Sequence, residues 1–268
     1  MLWDATSGER VVLLLVGLPG TEARYLAGRE VTAEGEERRL WEPVPLVDGA
    51  GAVEVTQGTS LGVPGPVVLE YTWGGRTGNP TTAWYADPLP SSPPELAVAD
   101  PRGLRDAVPA DLVQMAATTV LGHYGTGAAG ATPTLLAAGS VEGTTTVLVG
   151  AILPSGATTT ALLTSRTIAG PQDAGTSTTL SFGQAAPAGT ALLERVVAAA
   201  GEQTLTVSAP SAGAVAEVYL ADGTLLTTIP LVDGAGSGTL PPSAPERVRV
   251  LDAAGVLVGE APLTEPAG

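Results

Sequence analysis

Gly58-Thr59-Ser60-Leu61-Gly62 has the Gly-x-Ser-x-Gly form of a nucleophile elbow. Such an elbow needs a buried strand before the serine and a helix after it, so that the hydroxyl stands exposed at a sharp turn. Val63-Pro64-Gly65-Pro66 follows, and a helix does not start through that run. The base for such a serine would be His123, the single histidine, in a glycine-flanked stretch expected to be a loop. The pattern is therefore expected to be a turn, with a serine hydrolase on Ser60 and His123 as the alternative. The 27 acidic residues offer many carboxylate pairs, and no spacing singles one out for glycoside chemistry. Glu34, Glu36 and Glu37 with Arg38 and Arg39 are expected to form a solvated loop. Asp48 and Asp233 each precede a glycine. A calcium loop needs oxygens at alternating positions, and the residues that follow offer only backbone carbonyls, so both aspartates are expected to make turns.

The richest candidate surface is Tyr71 to Tyr85, YTWGGRTGNPTTAWY. Tyr71, Trp73, Arg76, Trp84 and Tyr85 surround a Gly/Asn/Pro turn. Aromatic side chains on a sheet stack on sugars or fill a pocket in a partner protein. On a strand Tyr71 and Trp73 share one face, so the same residues can instead belong to a core. They are the expected ligand-binding set, for a protein or glycan partner. A carbohydrate-binding module using Trp73 and Trp84 is the alternative. Asn79-Pro80-Thr81 is not a glycosylation acceptor, because proline occupies the middle position.

Composition removes whole classes of chemistry. The chain has 268 residues, no cysteine and one histidine, so a Cys/His zinc site or an iron–sulfur cluster is excluded. All 12 basic residues are arginine, which excludes a phosphate-loop lysine and a Schiff base. No cofactor or metal is expected. A net charge of −15 repels nucleic-acid phosphates and anionic membranes. The longest apolar run, Val11 to Val16, is far too short to span a bilayer as a helix. No signal peptide is recognisable at the start.

A repeat organises the elements that must position these residues. Pro-Leu-Val-Asp-Gly-Ala-Gly occurs at Pro45 to Gly51 and again at Pro230 to Gly236. Upstream, Tyr25-Leu26-Ala27 matches Tyr219-Leu220-Ala221, and Gly8-Glu9 matches Gly201-Glu202. Downstream, Val67 to Glu70 matches Val248 to Asp252. The first copy is longer between tyrosine and heptapeptide, and Thr32 to Arg39 is expected to be a longer hairpin loop there. Apolar/polar alternation at Leu205 to Val207 and at Arg247 to Leu251, with Asp-Gly and Ala-Gly turns between, predicts short strands. Leu193 to Ala198 is expected to be a strand by analogy with the first copy. The fold class is therefore mainly β: two related small β-sandwich-like units, residues 1–97 and 191–268.

The middle differs. Pro88 to Pro94 has linker composition. Asp111 is expected to cap a helix over Leu112 to Leu121 that ends at Gly122, with Leu112, Met115, Ala116 and Thr119 on one face. Thr144 to Leu153 and Thr158 to Arg166 flank Pro154-Ser155-Gly156 and predict a β-hairpin. Residues 98–268 are thus expected to be a helix and hairpin completed by the second copy. Because the first copy has no equivalent of this segment before it, the chain is expected to be a piece of a longer protein.

The strand and Asp-Gly pattern ending in Val248 to Gly255 (VRVLDAAG) resembles the ends of uncharacterised extracytoplasmic β-rich domains in membrane-anchored proteins of GC-rich actinobacteria. The resemblance covers about the last 70 residues. It implies a location outside the membrane and supplies no catalytic residues. Together these readings predict a non-enzymatic sensor, scaffold or interaction domain.

Overall fold

The computed structural model describes residues 10–56, 59–60, 63–64, 68–79, 96–124, 131–168, 175–201 and 203–263. The protein is mainly β, with several antiparallel sheets and one α-helix. The first unit contains β1 (Arg10–Val16), β2 (Glu22–Val31), β3 (Glu37–Val44), β4 (Ala50–Thr56), β5 (Thr59–Ser60), β6 (Val63–Pro64), β7 (Leu69–Trp73) and β8 (Arg76–Gly78). The middle contains α1 (Ala110–His123), β9 (Thr134–Val141), β10 (Thr144–Ile152), β11 (Thr158–Ile168) and β12 (Gly175–Phe182). The last unit contains β13 (Val197–Ala200), β14 (Thr204–Ser208), β15 (Val215–Tyr219), β16 (Leu225–Pro230), β17 (Ala235–Thr239), β18 (Arg247–Leu251) and β19 (Leu257–Pro262).

Each outer unit has a four-stranded antiparallel sheet of like strand order, and the smaller sheet facing it has two described strands in the first unit and three in the last. The first has a four-stranded sheet β3-β2-β7-β8 facing the pair β1-β4. The last has β16-β15-β18-β19 facing β13-β14-β17. Alternation puts one face of each strand inward. Leu13, Ala23, Tyr25, Val44, Val55 and Leu69 form the first core. Leu205, Val207, Ala216, Val218, Ile229, Val248 and Val250 lie in the second, larger one.

Asp48-Gly49 and Asp233-Gly234 make identical tight turns. Val47 and Ala50 exchange backbone hydrogen bonds at 2.8 and 3.0 Å, and Val232 and Ala235 do so at 2.9 Å both ways. Both central residues of each turn have positive φ, which is the mirror-image turn that Asp-Gly favours. The carbonyls of Gly49 and Gly234 then accept from Gly17 and Ala209 at 2.6 and 2.7 Å, tying each turn to the end of the neighbouring strand.

Register corrects the alignment read from sequence. Ala23 pairs with Val44 and Ala216 with Ile229, each the residue before the heptapeptide proline. Tyr25 therefore corresponds to Val218, not to Tyr219. Tyr25 and Val218 are both buried. A one-residue slip would have turned that strand inside out, because side chains alternate between faces. The extra residues of the first unit also do not form a longer loop. They lengthen the β2–β3 hairpin itself, with Glu37, Arg38 and Arg39 in β3 and an Arg29–Glu37 ion pair across the ladder. Only the turn around Thr32 to Glu36 is loop.

The middle holds more than a helix and a hairpin. β10 and β11 match the predicted hairpin, and β9 and β12 extend it to a sheet in the order β12-β11-β10-β9. β10 is buried on both faces, which its apolar run requires. Val147, Val149 and Ala151 pack under α1. Leu148 packs on the other side with Leu136, Leu162, Leu192 and Ala235, where the sheet meets the last unit. At that seam the hydroxyls of Thr146, Thr206 and Ser237 bond to one another at 2.8 to 3.1 Å. Helix α1 starts before and ends after its predicted limits. Pro109 is the N-cap, and Asp111 lies in the first turn, where its charge suits the helix dipole. Gly122 lies inside the helix. The buried residues are Val113, Ala116, Ala117, Thr119, Val120 and Leu121; Ala116 and Thr119 lie on the expected face, whereas Leu112 and Met115 are only partly buried. Leu193 to Val196 is irregular and strand begins at Val197. The Pro88 to Pro94 linker lies outside the described residues.

Candidate functional site

The four-stranded sheet of the first unit carries the exposed aromatic residues. β7 and β8 form a hairpin around Gly74-Gly75, in which Tyr71 faces Gly78 and Trp73 faces Arg76. Leu69, Tyr71 and Trp73 share the inward face, yet only Leu69 is covered. Tyr71 is 38 % exposed and Trp73 47 %. Gly78 makes room for the tyrosine: a Cβ there would lie 2.9 Å from the Tyr71 hydroxyl.

The opposite face of the same sheet carries an open groove of about 530 Å³. Glu22, Arg24, Glu70, Thr72 and Thr77 are among its lining residues. Arg24 Nε donates to Glu70 at 2.6 Å, and its guanidinium lies 4.7 Å from the Trp41 ring centroid. The Thr72 and Thr77 hydroxyls are 3.2 Å apart. On the inner side Tyr25 donates to Glu42 at 2.5 Å, and that carboxylate raises the phenol pKa. The sheet thus offers an aromatic edge on one side and a polar groove on the other.

Of the residues singled out from sequence, Tyr71, Trp73 and Arg76 come together on this hairpin. Trp84 and Tyr85 lie outside the described residues. Trp41, Arg24 and Glu70 were not anticipated. Arg24 and Glu70 are 46 positions apart, and only the β2–β7 register brings them opposite each other. In the last unit the corresponding pair is Glu217 and Arg249, with the charges exchanged.

Ser60 ends β5, which pairs with β6 through Ser60 and Val63. A strand follows the serine, so the strand–helix elbow is not formed. The Ser60 side chain lies outside the described residues. His123 is not in a loop. It is the last residue of α1 and stacks on Phe182 with ring centroids 3.7 Å apart. Burial, then the nearby Arg29, lower its pKa to about 4, against an opposing pull from Glu37. The imidazole is neutral and fills a gap between helix and sheet. Among the described residues no group of three or more His, Asp or Glu side chains is placed to hold a metal ion. No described helix is long and apolar enough to cross a membrane.

Comparison with protein-family models, with curated proteins and with solved structures finds no match.

Proposed function

We propose that the chain is a non-catalytic, extracytoplasmic interaction module of a larger bacterial protein, and that its first unit presents the binding face. The exposure of Tyr71 and Trp73 carries this reading. The position matching Tyr71 in the last unit is Val250, which is fully buried. One strand plan is thus used twice, once to close a core and once to expose aromatic side chains. Exposed aromatic residues grouped on a rigid hairpin are typical anchors for a protein partner. The shared strand order and the twin heptapeptide turns support reading the units as tandem copies of one ancestral sandwich.

A carbohydrate ligand is the second reading. It is favoured by the indole of Trp73 on a sheet whose other face offers carboxylates and threonine hydroxyls. A glycan array probed with the wild type and with Trp73→Ala separates the two. Binding lost in the variant assigns a sugar. Silence with the wild type leaves a protein partner, to be sought by photo-crosslinking from position 73. Labelling of Ser60 by a serine-directed fluorophosphonate would overturn the non-catalytic reading. Protection of the chain from protease added to intact cells would overturn the location.

A further inference from the structure

In the last unit both faces of β14 are covered: Thr204, Leu205, Thr206, Val207 and Ser208 are all buried. Leu205 and Val207 point into the unit's own core. Thr206 points the other way, and its hydroxyl meets that of Thr146 in the middle sheet at 2.8 Å. On the same outward face Ala235 packs with Leu136, Leu148 and Leu162 of that sheet. The approach is close, for a Cβ on Gly139 would lie 3.3 Å from the Ser237 hydroxyl.

Register locates the same face in the first unit. Ser208 pairs with Ala235, Thr206 with Ser237 and Thr204 with Thr239; Val16 pairs with Ala50, Leu14 with Ala52 and Val12 with Glu54. Ala50 and Ala235 hold the same place in the twin heptapeptide, so Val12, Leu14 and Val16 stand where Thr204, Thr206 and Ser208 stand. The burial does not carry over. Val16 is 88 % exposed and Ser208 fully buried; Ala50 is exposed and Ala235 buried. Val12 and Leu14 are half-buried and belong to none of the described cores. Glu54 lies at the margin of the face and is exposed, as Thr239 is. The uncovered face is also the more apolar of the two, and apolar side chains grouped on an exposed sheet face mark an interface.

We infer that the outer face of β1 and β4 docks a β-sheet of a partner protein, one that presents apolar side chains as β9 and β10 do to the last unit. The last unit supplies the argument for this occupant. The same strand pair, ending in the same Asp-Gly turn, is covered there by an antiparallel sheet at close range. Valine and leucine in place of threonine and serine leave no hydroxyl to match, so the partner's contact residues are apolar throughout. A second copy of the chain does not provide such a face. Its own face of that kind is already buried against its last unit, and two copies of net charge −15 repel each other. The surface belongs to the sheet opposite Tyr71 and Trp73, and the inference is independent of the aromatic hairpin.

A photoreactive benzoylphenylalanine placed at position 16 of the full chain, in the cells that naturally make it, tests this. Crosslinks are expected to a segment of another protein in which apolar and polar residues alternate, the pattern of a strand with one buried face. Val16→Asp is the companion variant. Val16 is so exposed that V16D is expected to leave the far-UV circular dichroism spectrum and the melting of the free chain unchanged. In the complex it buries a carboxylate, so co-purification of the crosslinked partner is expected to fall at least roughly tenfold. Trp73→Ala is expected to retain that partner. The crosslinked segment decides the matter even if V16D misfolds. Crosslinks to the chain itself, to a second copy, to lipid or to a helical segment overturn the inference, as does the absence of any crosslinked protein. So does a partner that V16D retains, or one that Trp73→Ala loses, which belongs to the hairpin instead.

Discussion

His123 shows how a chemically capable residue is turned to a structural use. Stacked on Phe182 and desolvated, its imidazole titrates near 4 in the folded chain, against about 6.5 when unfolded. As pH falls the unfolded chain takes the proton first. The contribution of His123 to stability is complete above about pH 6.5 and is lost between there and about pH 4. With partial exposure allowed for, about 2 kcal/mol is at stake. Thermal melts at pH 7.5 and 4.5 measure it, and the difference between them is expected to shrink in His123→Phe. Arg102 is a second such residue. It donates to the Leu136 carbonyl at 2.6 Å and the Ser208 hydroxyl at 2.8 Å, and also to the Ala209 carbonyl. One guanidinium thus clamps β9 to the end of β14. Burial lowers its pKa, opposed by Asp233 and Glu194. Arg102→Met strands those acceptors and is expected to cost roughly 2–3 kcal/mol in urea unfolding. Arg102→Lys is expected to recover little, because an ammonium lacks the planar fork that reaches several acceptors at once.

At the scale of elements, the paired turns are the most determined feature. Gly49 has φ of 82° and Gly234 of 74°. A Cβ on Gly49 would lie 2.5 Å from the Gly17 carbonyl, and one on Gly234 would press on the Ala209 and Pro210 carbonyls. Gly49→Ala and Gly234→Ala are each expected to destabilise by roughly 2–4 kcal/mol, from backbone strain and from backbone displacement together. Asp48→Gly and Asp233→Gly, which relieve a positive φ, are expected to change stability by less than about 1 kcal/mol. Chemical denaturation midpoints of the four variants check both statements. These turns were legible because Asp-Gly between extended runs admits few backbone solutions. Residues 25 and 219 were misaligned because shared tyrosines outweighed face parity, which appears only once strands pair. The helix face was legible in part: Ala116 and Thr119 are buried as expected, Leu112 and Met115 only partly. Leu112 and Met115 are the bulkier residues, but the close approach of β10 and β11 suits the row bearing Ala116 and Ala117.

Across the whole molecule, the three parts are joined unequally. The last unit meets the middle sheet across a broad apolar seam with its hydroxyl cluster and the Arg102 clamp. The long hairpin of the first unit reaches the middle through Val31, in the core beneath α1, and through a hydrogen bond from Ala188 to the Ala33 carbonyl at 2.7 Å. All four tryptophans, Trp3, Trp41, Trp73 and Trp84, belong to the first 84 residues. Tryptophan fluorescence therefore reports on the first unit, whereas far-UV circular dichroism reports on all strands. The fluorescence transition is expected to come at lower denaturant than the dichroism transition, since the first unit has the smaller core. Coincident transitions would show a single cooperative body.

The sequence by itself determined the strand-rich class, the tight turns and the hairpin of β10 and β11. Each of these is set by neighbours within a few residues: alternation, positive φ at Asp-Gly, and proline or glycine at a boundary. Tertiary structure alone decided the remaining features. Which face of β10 meets the helix, why Tyr71 and Trp73 remain exposed, and how Arg24 finds Glu70 across 46 positions all depend on long-range register and layer order. The chain's local preferences are compatible with more than one such arrangement, and close packing of the layers selects between them.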